Sequence, residues 1–493
     1  MYFSFSRSLP CIALTAACLT SACSVAPPAE PALPVALPEG FHSSITQPYA
    51  PVERWWGDFA DEQLNTFVET ALVRNPALAQ ALARASVAEA NIRMNRADQL
   101  PLVGAGLNSA RQRQNMSAMA GPLGELADDM SFIGNNHNAS LEVSWELDLW
   151  GRLSALSSAA RAEFLASAEQ LRGARQSVAA QVVQLYYEIV HARAQVELSE
   201  RTVQALAEMS RQIGNRAEVG IASPADAMLA RANLGSAEAG LEQRREALAR
   251  TLRQLDVLLG YYPAGALQTA DSLPDVPAAP AAGVPAQLLE RRPDVRAAEM
   301  ALMAAGYQLG AAQRSFLPSL SLSGSAGYSS DAWSGLFDSS NLVWSIAGQV
   351  MQPVFQGGRL VAQVDIAEGQ QDEALHGYVE TALNALAEVE SLLAVDNVLE
   401  RRESSLDGSA SAAEQAVEVS YNRYQQGIDP FLNVLESQQR ALDGRSAYIS
   451  ARHARIENRI ALHLALGGGF EHYPIRPAAP PPDDTLARTA PPP

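Results

Sequence analysis

The sequence predicts a mixed α/β chain made of one unit written twice, each copy giving two β-strands and then a long helical hairpin. Three observations predict it: short motifs that recur at constant spacing, alternating segments that begin after two prolines, and two proline-free stretches too long for a compact globule.

The repeat is visible without an alignment. Asn75-Pro76 and Arg292-Pro293 each open an Ala-rich helical stretch, and Pro101 and Pro318 follow at the same distance. Gly151-Arg152-Leu153, Gly220-Ile221 and Leu259-Gly260 match Gly358-Arg359-Leu360, Gly427-Ile428 and Leu466-Gly467, all 207 residues further on. A constant offset requires the two long segments to have equal lengths. The proline pairs are offset by 217, so the first copy carries ten extra residues between Pro101 and Gly151, which are expected in a loop.

After Pro101 and Pro318 the periodicity changes from helical to alternating. Ala139, Leu141, Val143, Trp145, Leu147 and Leu149 fall on one face, with Ser140, Glu142, Ser144, Glu146 and Asp148 on the other. Such a segment has about the length of a tilted transmembrane strand. Leu320, Leu322, Ala326 and Tyr328 are set against Ser319, Ser321, Ser323 and Ser325, and Leu342, Trp344, Ile346 and Val350 share a side. The strand after Pro101 is weaker, because Gly and Ala dilute its pattern. Any one of these segments alone would suit a half-buried sheet in water. The long flanking helices leave no room for a layer to cover the sheet, and acidic residues opposite the apolar face suit a water-filled lumen. Four strands cannot close a barrel, so several copies of the chain must pool theirs.

From Arg152 to Val219, and again from Arg359 to Gln426, there is no proline. As one helix each stretch would be roughly 100 Å long at about 1.5 Å per residue. Val178, Val182, Leu185, Ile189, Ala192, Val196, Val203, Leu206, Ile213 and Ala217 form a heptad seam, with Ser199 and Ser210 filling its gaps, and such a seam favours left-handed supercoiling. The stretches end at Gly220-Ile221-Ala222-Ser223-Pro224 and Gly427-Ile428-Asp429-Pro430, and a shorter helix returns to Gly260 or Gly467. The breakers are therefore exposed tips of helical hairpins.

Apolar residues make up 47% of the chain and aromatics only 6%, which suits helices packed closely through small side chains. The net charge of -18 argues against a nucleic-acid partner, since phosphate binding needs a basic surface. At the N-terminus Arg7 precedes an apolar stretch from Leu9 to Leu19, and Thr20-Ser21-Ala22-Cys23 follows. This reads as a secretory signal ending in a lipoprotein box with Cys23 as the lipidated residue; Thr15-Ala16-Ala17-Cys18 is a second, weaker candidate. Ser24 after the cysteine, in place of Asp, resembles lipoproteins passed on to the outer membrane. Cys11, Cys18 and Cys23 all lie in this leader, so no disulfide framework is expected. No later apolar run is long enough for an inner-membrane helix, and a membrane role must come from strands.

The chain divides accordingly into a lipoprotein signal peptide (1–22), a lipid-anchored extension (23–60), repeat 1 (61–262), a Pro- and Ala-rich linker (263–284), repeat 2 (285–470) and a Pro-rich tail (471–493). Within repeat 1 the β-hairpin is expected at about 101–150 and the helical hairpin at about 152–260; in repeat 2 they are expected at about 318–356 and 359–467.

Trp55-Trp56, Phe59 and Leu64 lead into Ala71-Leu72 and Asn75-Pro76. Leu289-Glu290-Arg291-Arg292-Pro293-Asp294-Val295-Arg296, Phe316-Leu317-Pro318-Ser319 and Phe355-Gln356-Gly357-Gly358-Arg359 follow in that order. In these motifs, and over nearly everything after the leader, the chain resembles the outer membrane factor (TolC-like) family, in the lipoprotein branch used by efflux systems. The resemblance implies a mixed class, a membrane β-barrel plus a long α-helical barrel, closed as a homotrimer in which each chain gives four of twelve strands. It implies an outer-membrane channel subunit of a tripartite efflux or export system, a passive gated exit duct across outer membrane and periplasm. The implied partners are a periplasmic adaptor (membrane fusion) protein, an inner-membrane transporter that drives the substrate, and outer membrane lipids held through acylated Cys23.

Carried over position by position, Asp226 and Tyr424 match a pair that holds the resting closure, where a carboxylate–phenol hydrogen bond is chemically apt. The acidic positions of the family's constriction fall here at Asn433 and Glu436. Asn433 departs from the pattern, which implies a weaker cation block, and a solvated helix surface is the alternative for Glu436. The adaptor would meet Gly220, Ile221, Ala222, Gly427, Ile428 and Asp429. Trp145, Trp150, Trp333 and Trp344 suit interfacial anchors, with buried packing the alternative for Trp145 and Trp344. The Arg291 to Asp294 group reads as an ion-paired helix start.

The seven histidines show no His-x-x-x-His spacing, and neither a phosphate-binding glycine loop nor a serine-nucleophile elbow occurs. No catalytic activity, cofactor or metal is therefore expected. The competing reading is a lipid-anchored periplasmic coiled-coil scaffold or adaptor without a pore, which would not need alternating segments at matching places in both halves.

Overall fold

The computed structural model describes residues 36–42, 54–115, 131–467 and 470. Cys18, Cys23 and the rest of the leader lie outside the described residues, as does the tail from 471.

Local chemistry sets the element boundaries. Asp61 caps α1 (Glu62–Arg74) by accepting from the amides of Gln63 and Leu64 at 2.9 and 3.0 Å. Asn75 then ends α1 and starts α2 (Pro76–Ala97): its Oδ1 accepts from the amides of Ala77 and Leu78, and its Nδ2 donates to the Leu258 carbonyl at 2.8 Å. Strands β1 (Leu102–Asn115) and β2 (Ser131–Leu147) follow. β2 stops before Leu149, because Asp148 turns to cap the next helix, accepting from the Leu153 and Ser154 amides at 3.0 and 2.7 Å.

Helices α3 (Arg152–Glu218) and α4 (Pro224–Leu258) complete the first copy. The second comprises α5 (Pro285–Arg291), α6 (Pro293–Arg314), β3 (Ser319–Ser330), β4 (Leu342–Met351), α7 (Arg359–Gln425) and α8 (Phe431–Ala465). α3 and α7 have 67 residues each, and α4 and α8 have 35 each, as the constant offset requires. The extra residues of the first copy do not all sit in a loop. β1 and β2 have 14 and 17 residues against 12 and 10 in β3 and β4. Residues 131–136 of β2 pair with β1 alone, so the surplus extends a two-stranded ribbon past the last β2–β3 pair, His137 with Ser330.

The described residues form two compact units, one containing Ser86–Ala166 and Glu299–Gly377, the other containing residues up to Ala85, Ser167–Ala298 and residues from Tyr378 onward. The first holds one antiparallel sheet in the order β1-β2-β3-β4. The strands of the two copies are therefore joined by β2–β3 pairing rather than standing as separate hairpins. Register places Val103, Ala105 and Leu107 beside Val143, Leu141 and Ala139. These in turn lie beside Gly324, Ala326 and Tyr328, and then Ile346, Trp344 and Leu342. One face is thus apolar across all four strands, while Ser140, Glu142, Ser144, Ser321, Ser323 and Ser325 line the other. The apolar face is uncovered, with Ile346 80% and Trp344 71% exposed. At the β2–β3 seam a Cβ on Gly327 would stand 2.1 Å from the Ala139 carbonyl oxygen, closer than packed atoms tolerate.

The second unit has the larger core. Trp55, Trp56 and Phe59, in a 3-10 turn, wedge against Val183, Tyr186 and Tyr187 of α3, Leu255 of α4 and Ile456 and Ile460 of α8. Of the seam residues, Val178, Val182, Ile189, Leu206 and Ile213 are buried. The linker is strapped to the helices. Tyr186 donates to Asp61 at 2.6 Å and accepts from the Ala270 amide at 2.9 Å, while Arg452 binds the Pro274 carbonyl at 3.1 Å and Asp275 at 3.0 Å. At the start of α6 Arg292 bridges Asp294 and Glu388, each at 2.7 Å, and donates to the Ala465 carbonyl. No helix among the described residues is long and apolar enough to cross a membrane.

Gly327→Val is expected to destabilise the sheet by about 3 kcal/mol, read as a lowered thermal midpoint of the detergent-purified protein. Gly104→Val, where a Cβ has nothing within 4 Å, serves as the control and should leave the midpoint nearly unchanged.

Candidate functional site

The helical tips are built by a chain reversal that glycine permits. Gly220 and Gly427 have φ of 76° and 73°, a region that side chains with a Cβ avoid. The next amides, of Ile221 and Ile428, reach back to the Arg216 and Arg423 carbonyls at 2.8 and 3.0 Å, the Schellman closure of a helix end. Ser223 caps α4, its Oγ accepting from the Ala225 amide at 3.2 Å, whereas Pro430 takes the cap position of α8. Ile221 and Ile428 stand 67% and 56% exposed. Asp429 is not a free carboxylate: Arg423 grips it at 2.6 and 3.1 Å, and this partner holds its carboxyl below the ordinary range.

Beneath the tips Met209, Ile213, Ala230, Tyr424, Phe431 and Val434 form a small apolar cluster. The Tyr424 ring lies 5.4 Å from that of Phe431, and the Arg216 guanidinium sits 5.5 Å over its centre. Burial, and then the negative charge of Asp226, push the Tyr424 phenol above its ordinary pKa. The expected hydrogen bond between Asp226 and Tyr424 is not found among the described residues, because the ring is packed between Phe431 and Arg216 and feels Asp226 through its charge. Bonds between the helices are made nearby instead, where Tyr421 donates to Gln212 and Ser420 donates to Ser437 at 2.9 Å. The sequence reading missed Tyr421; its place three residues before Tyr424, on the same helical face, was the available signal.

Asn433 and Glu436 are both exposed on α8. Glu436 is paired at 3.2 Å with Arg440, one helical turn on, so within one chain its charge is partly offset. The four tryptophans expected as interfacial anchors divide into two kinds. Trp145 and Trp150 donate to the carbonyls of Gln99 and Pro318 at 3.0 and 2.7 Å, tying strand ends, while Trp344 is exposed on the apolar face and Trp333 lies tilted against the His137 ring with centroids 4.3 Å apart.

An uncovered apolar sheet face with two open edges, carried on a chain whose duplicated helical hairpins end in exposed tips, defines a membrane-inserted channel subunit. The chain belongs to the outer membrane efflux protein family, whose model matches residues 67–261 and 284–468. It is 33% identical over 468 residues to the outer membrane protein OprJ of Pseudomonas aeruginosa, covering 93% of this chain and 95% of that one. It is 30% identical over 470 residues to the cation efflux system protein CusC of Escherichia coli, covering 94% and 98%. Among solved structures, the outer membrane channel CmeC of Campylobacter jejuni superposes with a TM-score of 0.84 at 25% identity, covering 92% of this chain and 96% of CmeC. The protein is an outer-membrane channel component of an efflux system, in a family of channels rather than of enzymes.

Because the Tyr424 ring is held by packing, Tyr424→Ala should speed amide exchange across residues 209–230 and 421–437, consistent with a local loss of about 3 kcal/mol. Tyr424→Phe should leave exchange close to wild type.

Proposed function

We propose that three copies of this chain close into a single twelve-stranded barrel in the outer membrane, continued by a helical tunnel in the periplasm. The observation that carries this reading is the four-stranded sheet with an apolar outer face and unpaired edges at β1 and β4. Alternating strand directions let β4 of one copy pair antiparallel with β1 of the next, so that every backbone group finds a partner without a lipid-exposed edge. The Ser- and Glu-bearing face then lines the water-filled lumen.

In this reading the duct is passive and does no chemistry. An inner-membrane transporter supplies the driving force, and a periplasmic adaptor docks on the tips at Gly220, Ile221, Ala222, Gly427, Ile428 and Asp429. Acylated Cys23 anchors each chain to outer membrane lipids. Asp226 and Tyr424 hold the resting closure, and Asn433 with Glu436 forms a constriction whose cation block is weakened twice, by the neutral amide and by Arg440.

Purified protein should migrate as a heat-modifiable trimer and conduct ions in planar bilayers; a non-conducting monomer would favour the scaffold reading. Ile346→Arg, which puts a charge on the apolar face, should cost about 2–4 kcal/mol if Ile346 meets lipid near the bilayer centre, measured as loss of trimer from outer-membrane fractions. In cells, Tyr424→Ala should raise sensitivity to antibiotics too large for general porins, and unchanged sensitivity would remove Tyr424 from the gate.

A further inference from the structure

One polar cluster in the second unit has no part in the duct, the closure or the tips. Glu188 and His191, three residues apart on α3, face His453 of α8, and one ligating atom from each lies within 4.8 Å of the others. The Oε2 of Glu188 is 3.4 Å from His453 Nε2 and 3.7 Å from His191 Nδ1, and the two imidazoles stack with centroids 4.7 Å apart. His453 is only 5% exposed, in the helix interface beside Ile456.

Both nitrogens that converge on Glu188 are buried and lack a hydrogen-bond partner. Two orphaned ring nitrogens around one carboxylate oxygen are uncommon, since buried polar atoms are nearly always satisfied. Their separations suit a different arrangement. With ligand bonds of about 2.0–2.1 Å, the edge of a tetrahedral zinc site is roughly 3.3 Å, close to the two contacts made by Glu188.

The other nitrogen of His191 is placed as metal-binding imidazoles require. His191 Nε2 is 3.3 Å from the hydroxyl of Ser450 and 3.4 Å from Gln195 Nε2, while His453 Nδ1 lies 3.9 Å from the carboxylate of Glu457, beyond hydrogen-bond length. The Ser450 hydroxyl can take the His191 ring proton and leave that ring's inner lone pair free. The same Glu-x-x-His spacing on a helix, completed by a residue from a facing helix, is a recurrent way for helical bundles to bind metal.

We propose that Glu188, His191 and His453 form a binding site for a borderline divalent transition metal such as Zn2+, with water completing the shell, which cross-links α3 of the first copy to α8 of the second. Two imidazoles and one carboxylate select against Mg2+ and Ca2+, which prefer oxygen ligands alone. No His-x-x-x-His spacing marks this site in the sequence, because the second imidazole comes from the other copy.

The test uses the full chain in detergent, stripped with EDTA and titrated with ZnCl2 by calorimetry. Wild type should take up one Zn2+ per chain, gain several degrees in thermal midpoint because the ligand binds the folded state, and show the intense visible bands of tetrahedral cobalt when Co2+ is substituted. Glu188→Gln and His191→Ala should each abolish this uptake and the thermal gain, and Ser450→Ala should weaken it roughly 10-fold or more. Glu188 has a side chain 41% exposed, so Glu188→Gln should fold, which circular dichroism checks. The proposal is overturned if wild type binds no Zn2+ below about 100 µM, or if uptake survives in both ligand variants as expected of adventitious binding to an acidic surface.

Discussion

The backbone hydrogen-bonding capacity left open at the two edges of one sheet governs how the rest of this protein must behave. Among the described residues, β1 and β4 each present an unpaired row of amides and carbonyls beside an apolar face that no other segment covers. In water such edges recruit further strands, and in lipid they cannot exist at all. The proposed ring closure with copies of the same chain would satisfy both requirements. The alternation of strand direction across four strands makes that closure regular, since an even number per chain keeps every junction antiparallel.

The second unit solves a different problem, holding very long helices in register. A heptad seam alone leaves two supercoiled helices free to slip by a repeat. Slippage is opposed by groups that occur once: the Trp55, Trp56 and Phe59 wedge, the Tyr186 hydroxyl shared between Asp61 and the linker, and Arg292 between Asp294 and Glu388. The linker between the copies acts as a strap over these helices, so duplication joined the two halves through a segment that also holds them together.

Charge at the tips is handled conservatively. Arg423 neutralises Asp429 and Arg440 partly neutralises Glu436, leaving exposed Ile221 and Ile428 as the dominant character of the hairpin ends. An apolar tip with internally paired charges suits docking through shape and apolar burial more than through long-range attraction, which salt screens. The Glu188, His191 and His453 cluster lies where a helix of one copy meets a helix of the other. Its chemistry is thus placed to lock or release that interface.

Periodicity determined that two strands and two helices follow each of Pro101 and Pro318, because alternation and heptads are properties of the chain alone, although it did not set the length of β1 and β2. The constant spacing of Gly-Arg-Leu, Gly-Ile and Leu-Gly determined that the two helical hairpins are equal in length, and glycine at 220 and 427 determined where they turn. Contacts between distant segments were decided only by tertiary structure. The β2–β3 seam, the packing that takes the Tyr424 ring away from a hydrogen bond with Asp226, and the meeting of His191 with His453 depend on how helices rotate about their axes and which strands become neighbours. A one-dimensional pattern leaves these choices open, since local propensity fixes φ and ψ but not the partner across the interface.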